Sequence, residues 1–366
     1  MPAEVAIKPI RILVDSFADA GLLNAQMGNA REIISRLDPD VFHVSTFVLD
    51  PPDPRLAARR NTRLIQLPRH RQTVRILSEF LWGAHDLLFY LKVSPASRIY
   101  MNLRQKWRDR RVTIGTIESQ CNLRLEPDFK PKHARFWEQT TLRCDRLYSN
   151  APFVQRSLLA EYQLQSGVIR TGADTTFFTP EWDRPKNAHP QVLFVGSLHS
   201  RKQPQLMLST AVKFPQAQFR IVGDGPMRNE LVSRIGRENL TNVTLVAPLQ
   251  PDKLREEYRQ ADIFFFPSLF EGSPKVIVEA AACGLPVIAR DCYQPETVLH
   301  GTTGFQASSE DELYSLLQLL LNRPDLRTQM GHAGRAHSQK FDWDPITRDW
   351  ENAFIEASSA KLRKAS

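Results

Sequence analysis

Cysteine is scarce in this sequence and poorly placed for chemistry. Four are present in 366 residues, Cys121, Cys144, Cys283 and Cys292, and no two form a CxxC pair. No histidine and cysteine cluster has zinc-ligand spacing, which argues against a zinc module. Scattered thiols in a long chain suit a reducing compartment, where they act as small buried hydrophobes, so a cytoplasmic location is expected. Long apolar runs are also missing: none approaches the ~20 residues that a membrane-spanning helix needs. The opening MPAEVAIKPIRILVD carries acidic Glu4 and no long apolar stretch, and does not read as a secretory signal. The expected protein is soluble, or peripheral at the inner face of a membrane.

Acidic residues are short in one half only. The chain holds 48 Lys and Arg against 40 Asp and Glu, a formal charge of +8. Residues 1–180 contain 26 basic and 18 acidic side chains, and the remainder is balanced. The densest basic stretches run from Arg69 to Arg75 and from Arg104 to Arg111. A basic half attracts an anionic lipid surface, a phosphorylated acceptor or nucleic acid, or is simply a solvated face. Between the two stretches, ILSEFLWGAHDLLFYL (76–91) mixes Leu77, Phe80, Leu81, Trp82, Leu88 and Phe89 with few charges. It reads as an amphipathic helix able to lie in a headgroup layer, or alternatively as part of a core. Nucleic acid has only charge in its favour and is not an expected partner.

What is present is a regular alternation. The apolar content is 42%, enough for packed cores, and a length of 366 residues suggests two domains at ~150 residues each. RILVDSF (11–17) reads as a buried parallel strand, a loop with Gly21 follows, 27–37 has helical spacing and FHVSTFVL (42–49) is a second strand. That is the opening unit of a doubly wound sheet. Further strands are expected at 111–119 and 145–151, with a helix at 152–164. PEWDRPKNAHP (180–190) has three prolines and almost no apolar residues, which is linker chemistry. The alternation then restarts with QVLFVGSL and continues to DELYSLLQLLLN. Expected boundaries are 1–179 for a first Rossmann-like domain and 188–342 for a second. A terminal helix in 343–366, with Trp350, Phe354 and Ile355 at helical spacing, would dock back on the first.

The segment richest in chemistry is PSLFEGSPKVIVEAAACGLPVIAR (267–290). Ser273 suits an N-cap and Pro274 a first helical position. Ala280, Ala281 and Ala282 keep one helix side thin, and Gly284 and Pro286 end the helix. The helix follows strand DIFFFPS directly, so its free N–H groups sit at the carboxyl edge where open α/β sheets bind ligands. Such an N-terminus suits a diphosphate. Glu271 precedes the helix and Glu279 lies about one and a half turns into it. Carboxylates beside a phosphate site serve best as acceptors for sugar or ribose hydroxyls, although either alone reads equally as a cap or a solvated residue.

Glu, seven residues, Glu, then Ala-x-x-x-Gly-x-Pro-Val resembles the signature of family 4 glycosyltransferases, retaining enzymes of the GT-B architecture. Phe194-Val195-Gly196-Ser197-Leu198 with Lys202, Ile221 to Pro226 (IVGDGP), Ala261-Asp262 through Pro267-Ser268, Thr303-Gly304-Phe305 and Phe341-Asp342-Trp343 agree with it. The resemblance covers about 145–345 and is weak before that. It implies two Rossmann-like, doubly wound domains facing across a cleft. It implies a hexosyl- or related glycosyltransferase using a nucleotide-diphosphate sugar in cell-surface polysaccharide or glycolipid synthesis. Glu279 then resembles the ribose-binding glutamate and Glu271 the one contacting the transferred sugar. The backbone of Ser273, Pro274, Lys275 and Val276 would hold phosphate or sugar, and Lys202 would neutralise the leaving diphosphate. Gly196 and Gly223 belong to the donor loops, and Gly21 would bring first-domain backbone close to the donor.

Two departures stand out. Ser197 occupies a position where the family often has arginine, with Arg201 a nearby substitute. Glu118 and Ser119 stand where it often has histidine, which leaves them as candidates for acceptor or sugar contact. No cofactor and no metal are expected: Asp38-Pro39-Asp40 reads as a turn, and neither it nor Asp342-Trp343-Asp344 follows a Rossmann strand. The rival readings are a nucleotide-sugar epimerase of the same architecture and a non-catalytic nucleotide-sugar-binding subunit.

Overall fold

The structure, a computed structural model, describes residues 8–21, 25–91, 94–122, 131–185 and 187–363. It divides into two compact units. Unit 1 comprises Met1–Ile117, Lys130–Ile169 and Trp343–Ser366, and unit 2 comprises Glu118–Phe129 and Arg170–Asp342.

Unit 1 runs β1 (Ile10–Phe17), α1 (Ala25–Arg36), β2 (Phe42–Val48), α2 (Pro54–Ala58), β3 (Thr62–Gln66), α3 (Gln72–Trp82), β4 (Leu87–Phe89), α4 (Pro95–Lys106), β5 (Val112–Ile117), α5 (Pro131–Gln139), β6 (Arg146–Ser149), α6 (Pro152–Tyr162) and β7 (Gly167–Val168). These strands form one parallel sheet in the order β3-β2-β1-β4-β5-β6-β7. Successive strand residues point to opposite faces, and both faces are covered. Ile12, Val14, Leu87 and Phe89 share a core with α1 and the C-terminal helix Trp343–Arg363. Leu13 and Leu88 face the other way into a core with Ile76, Phe80, Tyr100 and Met101 of α3 and α4. On the first face Trp350 and Phe354 set their rings 4.7 and 4.9 Å from Phe89.

The single amphipathic surface helix expected over 76–91 is therefore corrected. Helix α3 stops at Trp82, and Leu87, Leu88 and Phe89 are fully buried as the strand between β1 and β5. Gly83 sets the break: a Cβ there would lie 2.5 Å from the Glu79 carbonyl oxygen and 2.4 Å from the His85 ring. The basic stretch Arg104–Arg111 is likewise not a uniform exposed patch. Arg104 bonds Asp145 and Thr113 at 2.8 Å each, and Arg111 pairs with Asp109 while donating to the Phe80 and Gly83 carbonyls at the end of α3. Lys106, Arg108 and Arg110 are exposed, as are Trp82 and Trp107.

Unit 2 runs β8 (Gln191–Val195), α7 (Pro204–Lys213), β9 (Gln218–Val222), α8 (Arg228–Arg237), β10 (Val243–Val246), α9 (Pro251–Gln260), β11 (Ile263–Phe266), α10 (Lys275–Ala282), β12 (Val287–Arg290), β13 (Gly304–Ala307), α11 (Glu310–Asn322) and α12 (Pro324–Ser338); the C-terminal helix of unit 1 is α13. Its parallel sheet has the order β10-β9-β8-β11-β12-β13. The order reverses between β8 and β11, so the switch point, where such sheets bind ligands, lies at the carboxyl ends of these two strands.

Candidate functional site

Everything that the carboxyl ends of β8, β9 and β11 hold in place follows from short, constrained loops. After β8, the loop Gly196-Ser197-Leu198 meets the loop after β9, Gly223-Asp224-Gly225-Pro226. Gly196 N donates to the Val222 carbonyl (3.0 Å), Leu198 N to the Asp224 carbonyl (2.8 Å) and Met227 N to the Leu198 carbonyl (3.0 Å). The fit excludes side chains. Gly223 (φ +153°) would put a Cβ 1.9 Å from the Gly196 oxygen, and Gly225 (φ +157°) would put one 2.7 Å from the Leu198 oxygen. Ser197 is half-buried in this interlock.

A 3-10 turn, Ser200–Lys202, comes next and is pinned to the loop after β11. Leu269 N donates to the Arg201 carbonyl at 2.9 Å. The turn delivers the Lys202 ammonium to two neighbours: it pairs with the Glu271 carboxylate and stands 4.9 Å from the centre of the Phe266 ring. Ser268 donates to the same carboxylate oxygen at 2.5 Å. Lys202 and Glu271 are both largely enclosed, so the pair is a short, partly desolvated contact rather than a surface bridge. The Arg201 guanidinium lies 3.4 Å from the Phe270 carbonyl oxygen, beside Glu271. Residues 118–122 reach the same loop: Ser119 forms an isolated antiparallel bridge with Gly272, and Gln120 N donates to the Glu271 carbonyl at 3.3 Å. Glu118 and Ser119 are half-buried there.

Helix α10 begins at Lys275, one residue later than expected. Pro274 is its cap with extended backbone (φ −71°, ψ 116°), and no side chain closes the end. Ser273 is thus not the cap. Proline at ψ 116° holds the chain extended through 274, so the helical turn starts beyond it, and Ile277 N donates to the Pro274 carbonyl at 3.1 Å. The N–H groups of Lys275 and Val276 have no acceptor within the helix. At the other end Gly284 (φ +81°) turns the chain out, with Gly284 N and Leu285 N donating back to Ala281 and Ala280.

Glu279 sits one turn after Lys275. Its carboxylate accepts the Tyr258 hydroxyl at 2.9 Å. Burial raises its pKa above the ordinary carboxylate value, with Lys275 and the Tyr258 hydroxyl pulling the other way. Tyr258 was not singled out from the sequence. The available signal was that it is an aromatic residue in the highly charged helix DKLREEYRQA, three residues before buried Ala261.

Lys202, Glu271, Arg201, Gly196, Ser197, Gly223, Glu279 and residues 273–276 all belong to unit 2. Gly21 does not: it lies in unit 1 in an exposed turn where a Cβ would meet nothing within 4 Å. Among the described residues no group of three or more His, Cys, Asp or Glu side chains could hold a metal. In the two Asp-x-Asp strings, Asp38 accepts from the Asp40 N–H, Asp342 accepts from the Thr175 N–H and hydroxyl, and Asp344 pairs with Arg36. No described helix is long and apolar enough to cross a membrane.

Residues 179–337 match the family described as glycosyl transferases group 1. A D-inositol 3-phosphate glycosyltransferase of Corynebacterium kroppenstedtii is 30% identical over 287 residues, covering 70% of this chain and 64% of that protein. A sulfoquinovosyl transferase of Arabidopsis thaliana is 29% identical over 53% of this chain and 40% of its own length. The chain thus spans under two thirds of both relatives. Among solved structures, a sucrose-phosphate synthase from Thermosynechococcus elongatus superposes with a TM-score of 0.79 at 20% identity, covering 96% of this chain and all of the other. An Anabaena protein solved with UDP-glucose gives 0.72 at 17% identity, with 96% and 100% covered. These likenesses give the fold: two Rossmann-like, doubly wound units of GT-B type.

Proposed function

We propose, from the premise that residues 179–337 belong to the glycosyl transferases group 1 family, that this chain transfers a sugar from a nucleotide diphosphate donor to an acceptor with retention of anomeric configuration. The observation that carries the reading is the Lys202–Glu271 pair, which joins the turn after β8 to the loop leading into the uncapped start of α10, with Glu279 farther along that helix. In the structure ammonium and carboxylate neutralise each other. A bound diphosphate competes for Lys202 and for the N–H groups of Lys275 and Val276, which frees Glu271 to accept hydroxyls of the transferred sugar. Glu279 accepts from the ribose. As the bond between the anomeric carbon and the phosphate oxygen breaks, charge grows on the leaving diphosphate, and these preorganised groups stabilise it. Basic residues and the helix terminus fill the role of a metal, so EDTA leaves turnover unchanged.

Unit 2 is the donor-binding unit and unit 1 the acceptor-binding unit. The Anabaena protein's complex with UDP-glucose and the D-inositol 3-phosphate in the corynebacterial relative's name favour a UDP-sugar and a phosphorylated acceptor. Glu118 and Ser119, beside Glu271 and Gly272, are the candidates for contact with acceptor or sugar. The basic excess in the first 180 residues supports an anionic acceptor or membrane surface in polysaccharide or glycolipid synthesis.

The test is calorimetry with UDP-, GDP- and ADP-sugars, followed by an acceptor panel assayed for nucleotide release, with product configuration read by NMR. Binding with turnover supports the reading. Binding without turnover on any acceptor favours a non-catalytic subunit, and an altered free sugar without acceptor favours an epimerase. EDTA-sensitive turnover would refute the metal-free mechanism.

A further inference from the structure

We propose that Tyr258 is a positioning residue of the donor site, holding one oxygen of the Glu279 carboxylate so that the other is presented to the nucleotide's ribose. The inference rests on the reading of Glu279 as the ribose acceptor and names a group that acts through it.

The geometry is restrictive. Tyr258 is fully buried in α9, and its hydroxyl donates to Glu279 Oε2 at 2.9 Å. A buried phenol needs a partner for its O–H, and here that partner is a carboxylate on the adjacent helix. The ring cannot swing away. It stands edge-on to Phe178 at 5.8 Å and tilted against Phe264 of β11 at 5.7 Å. A long glutamate side chain has rotamers to lose, and a rigid donor at one oxygen removes most of them before the ligand arrives, which is the general route by which preorganisation gains affinity.

The bond also favours the ionised form of the carboxylate, against burial. The groups facing Glu279 are Lys275 one turn before it, Tyr258 from α9 and the Cys283 thiol one turn after it; burial and the Glu279 charge push that thiol up to about 12. Burial raises the Glu279 pKa, and Lys275 and the Tyr258 hydroxyl oppose it. Removing the hydroxyl therefore raises the pKa further. The ionised form is the stronger acceptor for ribose hydroxyls. Nucleotide affinity is thus full above the Glu279 pKa and weakens as pH falls through it. In Tyr258→Phe that loss moves to higher pH.

Two readouts separate this inference from the donor reading. In ligand-free protein carrying 13C-carboxyl glutamate, the Glu279 signal is assigned by its disappearance in Glu279→Gln and titrated in wild type, Tyr258→Phe and Phe178→Leu. The expected result is an upward midpoint in Tyr258→Phe, with a clearly smaller shift in Phe178→Leu, which loosens one side of the ring but keeps its hydroxyl and its contact with Phe264. Calorimetry then uses whichever of UDP, GDP and ADP wild type binds. Tyr258→Phe is expected to weaken it about tenfold near neutral pH, with the acid limb shifted up, and to add no further loss in a Glu279→Gln background. An unmoved Glu279 midpoint, or an equal shift in Phe178→Leu, overturns the positioning role even if nucleotide binding depends on Glu279. Wild-type protein that binds none of the three nucleotides overturns the donor reading, and the ribose role of Tyr258 with it, whatever the titration gives.

Discussion

Glu79 in unit 1 and Glu279 in unit 2 are both carboxylates drawn into protein, and their surroundings are opposite. Glu79 is 4% exposed and has Arg63 at 2.9 Å, Arg75 at 2.8 Å and His85 at 3.4 Å. Burial pulls its pKa up, but the His85 hydrogen bond and the two guanidinium groups pull harder, and it ends below the usual carboxylate range. Glu279 has a tyrosine hydroxyl and one lysine nearby, and burial prevails. The first carboxylate is fully matched when the chain folds and serves the fold. The second is left under-matched, at a standing cost to stability, beside a helix start that is itself uncapped. Such local violations mark sites held ready for a ligand. The buried pair of Lys202 and Glu271 lies between these extremes: the two charges match each other, and the Ser268 hydroxyl donates to the same carboxylate.

The contrast breaks most visibly at Lys202. Lys202→Ala is expected to lower kcat by about 10²–10³, the usual loss when one preorganised charge-stabilising donor is removed, while donor Kd changes far less. Steady-state kinetics beside calorimetry checks this, and equal losses in rate and binding would reassign Lys202 to ground-state binding. Glu279→Gln sharpens the comparison because it separates function from stability. Nucleotide Kd should rise by about tenfold or more, since a charge-assisted acceptor is lost. Ligand-free Tm should rise by about 2 °C or more, since a desolvated charge is removed. The sign follows from the raised pKa: the folded state holds its proton more tightly than the unfolded state, so stability falls as pH rises between the two pKa values and the neutral amide recovers it. A fall in Tm would place Glu279 with Glu79 among structural carboxylates.

Glu79→Ala should do the reverse. Nucleotide Kd should not move, and unit 1 should lose about 2 kcal/mol, because His85 loses its partner in a buried setting while Arg63 and Arg75 keep access to water. The depressed pKa of Glu79 fixes the pH dependence. Its contribution is present above the unfolded carboxylate value and fades as pH falls through the folded one, so the stability difference between wild type and variant should shrink in acid. Thermal melts across that range check both statements, and a changed nucleotide Kd would mean that the two carboxylates are not independent.

How much of this was legible in the sequence depended on whether a residue's neighbours lay close by in the chain. The strands at 11–17 and 42–49, the helix at 152–164 and the alternation after residue 190 follow from local pattern, as does the loop from Pro267 to the start of α10. Strand β4 was misread because a three-residue strand buried on both faces has no period of its own, and LLF merged with the apolar residues of α3; Gly83 was the signal passed over. Helix α4 was missed although Ser94 and Ser97 form its capping box and Pro95 opens its first turn. Tyr258 could not be tied to Glu279 from sequence, since 21 residues separate partners that meet only because α9 and α10 both pack on the unit 2 sheet.

The smallest expected effect concerns the basic surface of unit 1. Sequence alone treats Arg104, Lys106, Arg108, Arg110 and Arg111 as equivalent, and the structure does not. Arg104 and Arg111 tie α4 and β5 to Asp145, Asp109 and the end of α3, so neutralising them damages the fold. Lys106, Arg108 and Arg110 are exposed, and Trp107 within the same stretch is 57% exposed. If unit 1 meets an anionic surface there, each of the three contributes about 1 kcal/mol at most, screened by salt. The triple variant Lys106→Gln, Arg108→Gln, Arg110→Gln should then keep the wild-type Tm and nucleotide Kd and co-sediment about tenfold or more less with phosphatidylserine vesicles at low salt. Wild type should bind neutral phosphatidylcholine vesicles weakly or not at all. Wild-type protein that stays in the supernatant with phosphatidylserine at low salt would reduce this surface to a solvated face. It would also turn the search for an acceptor toward soluble phosphorylated molecules.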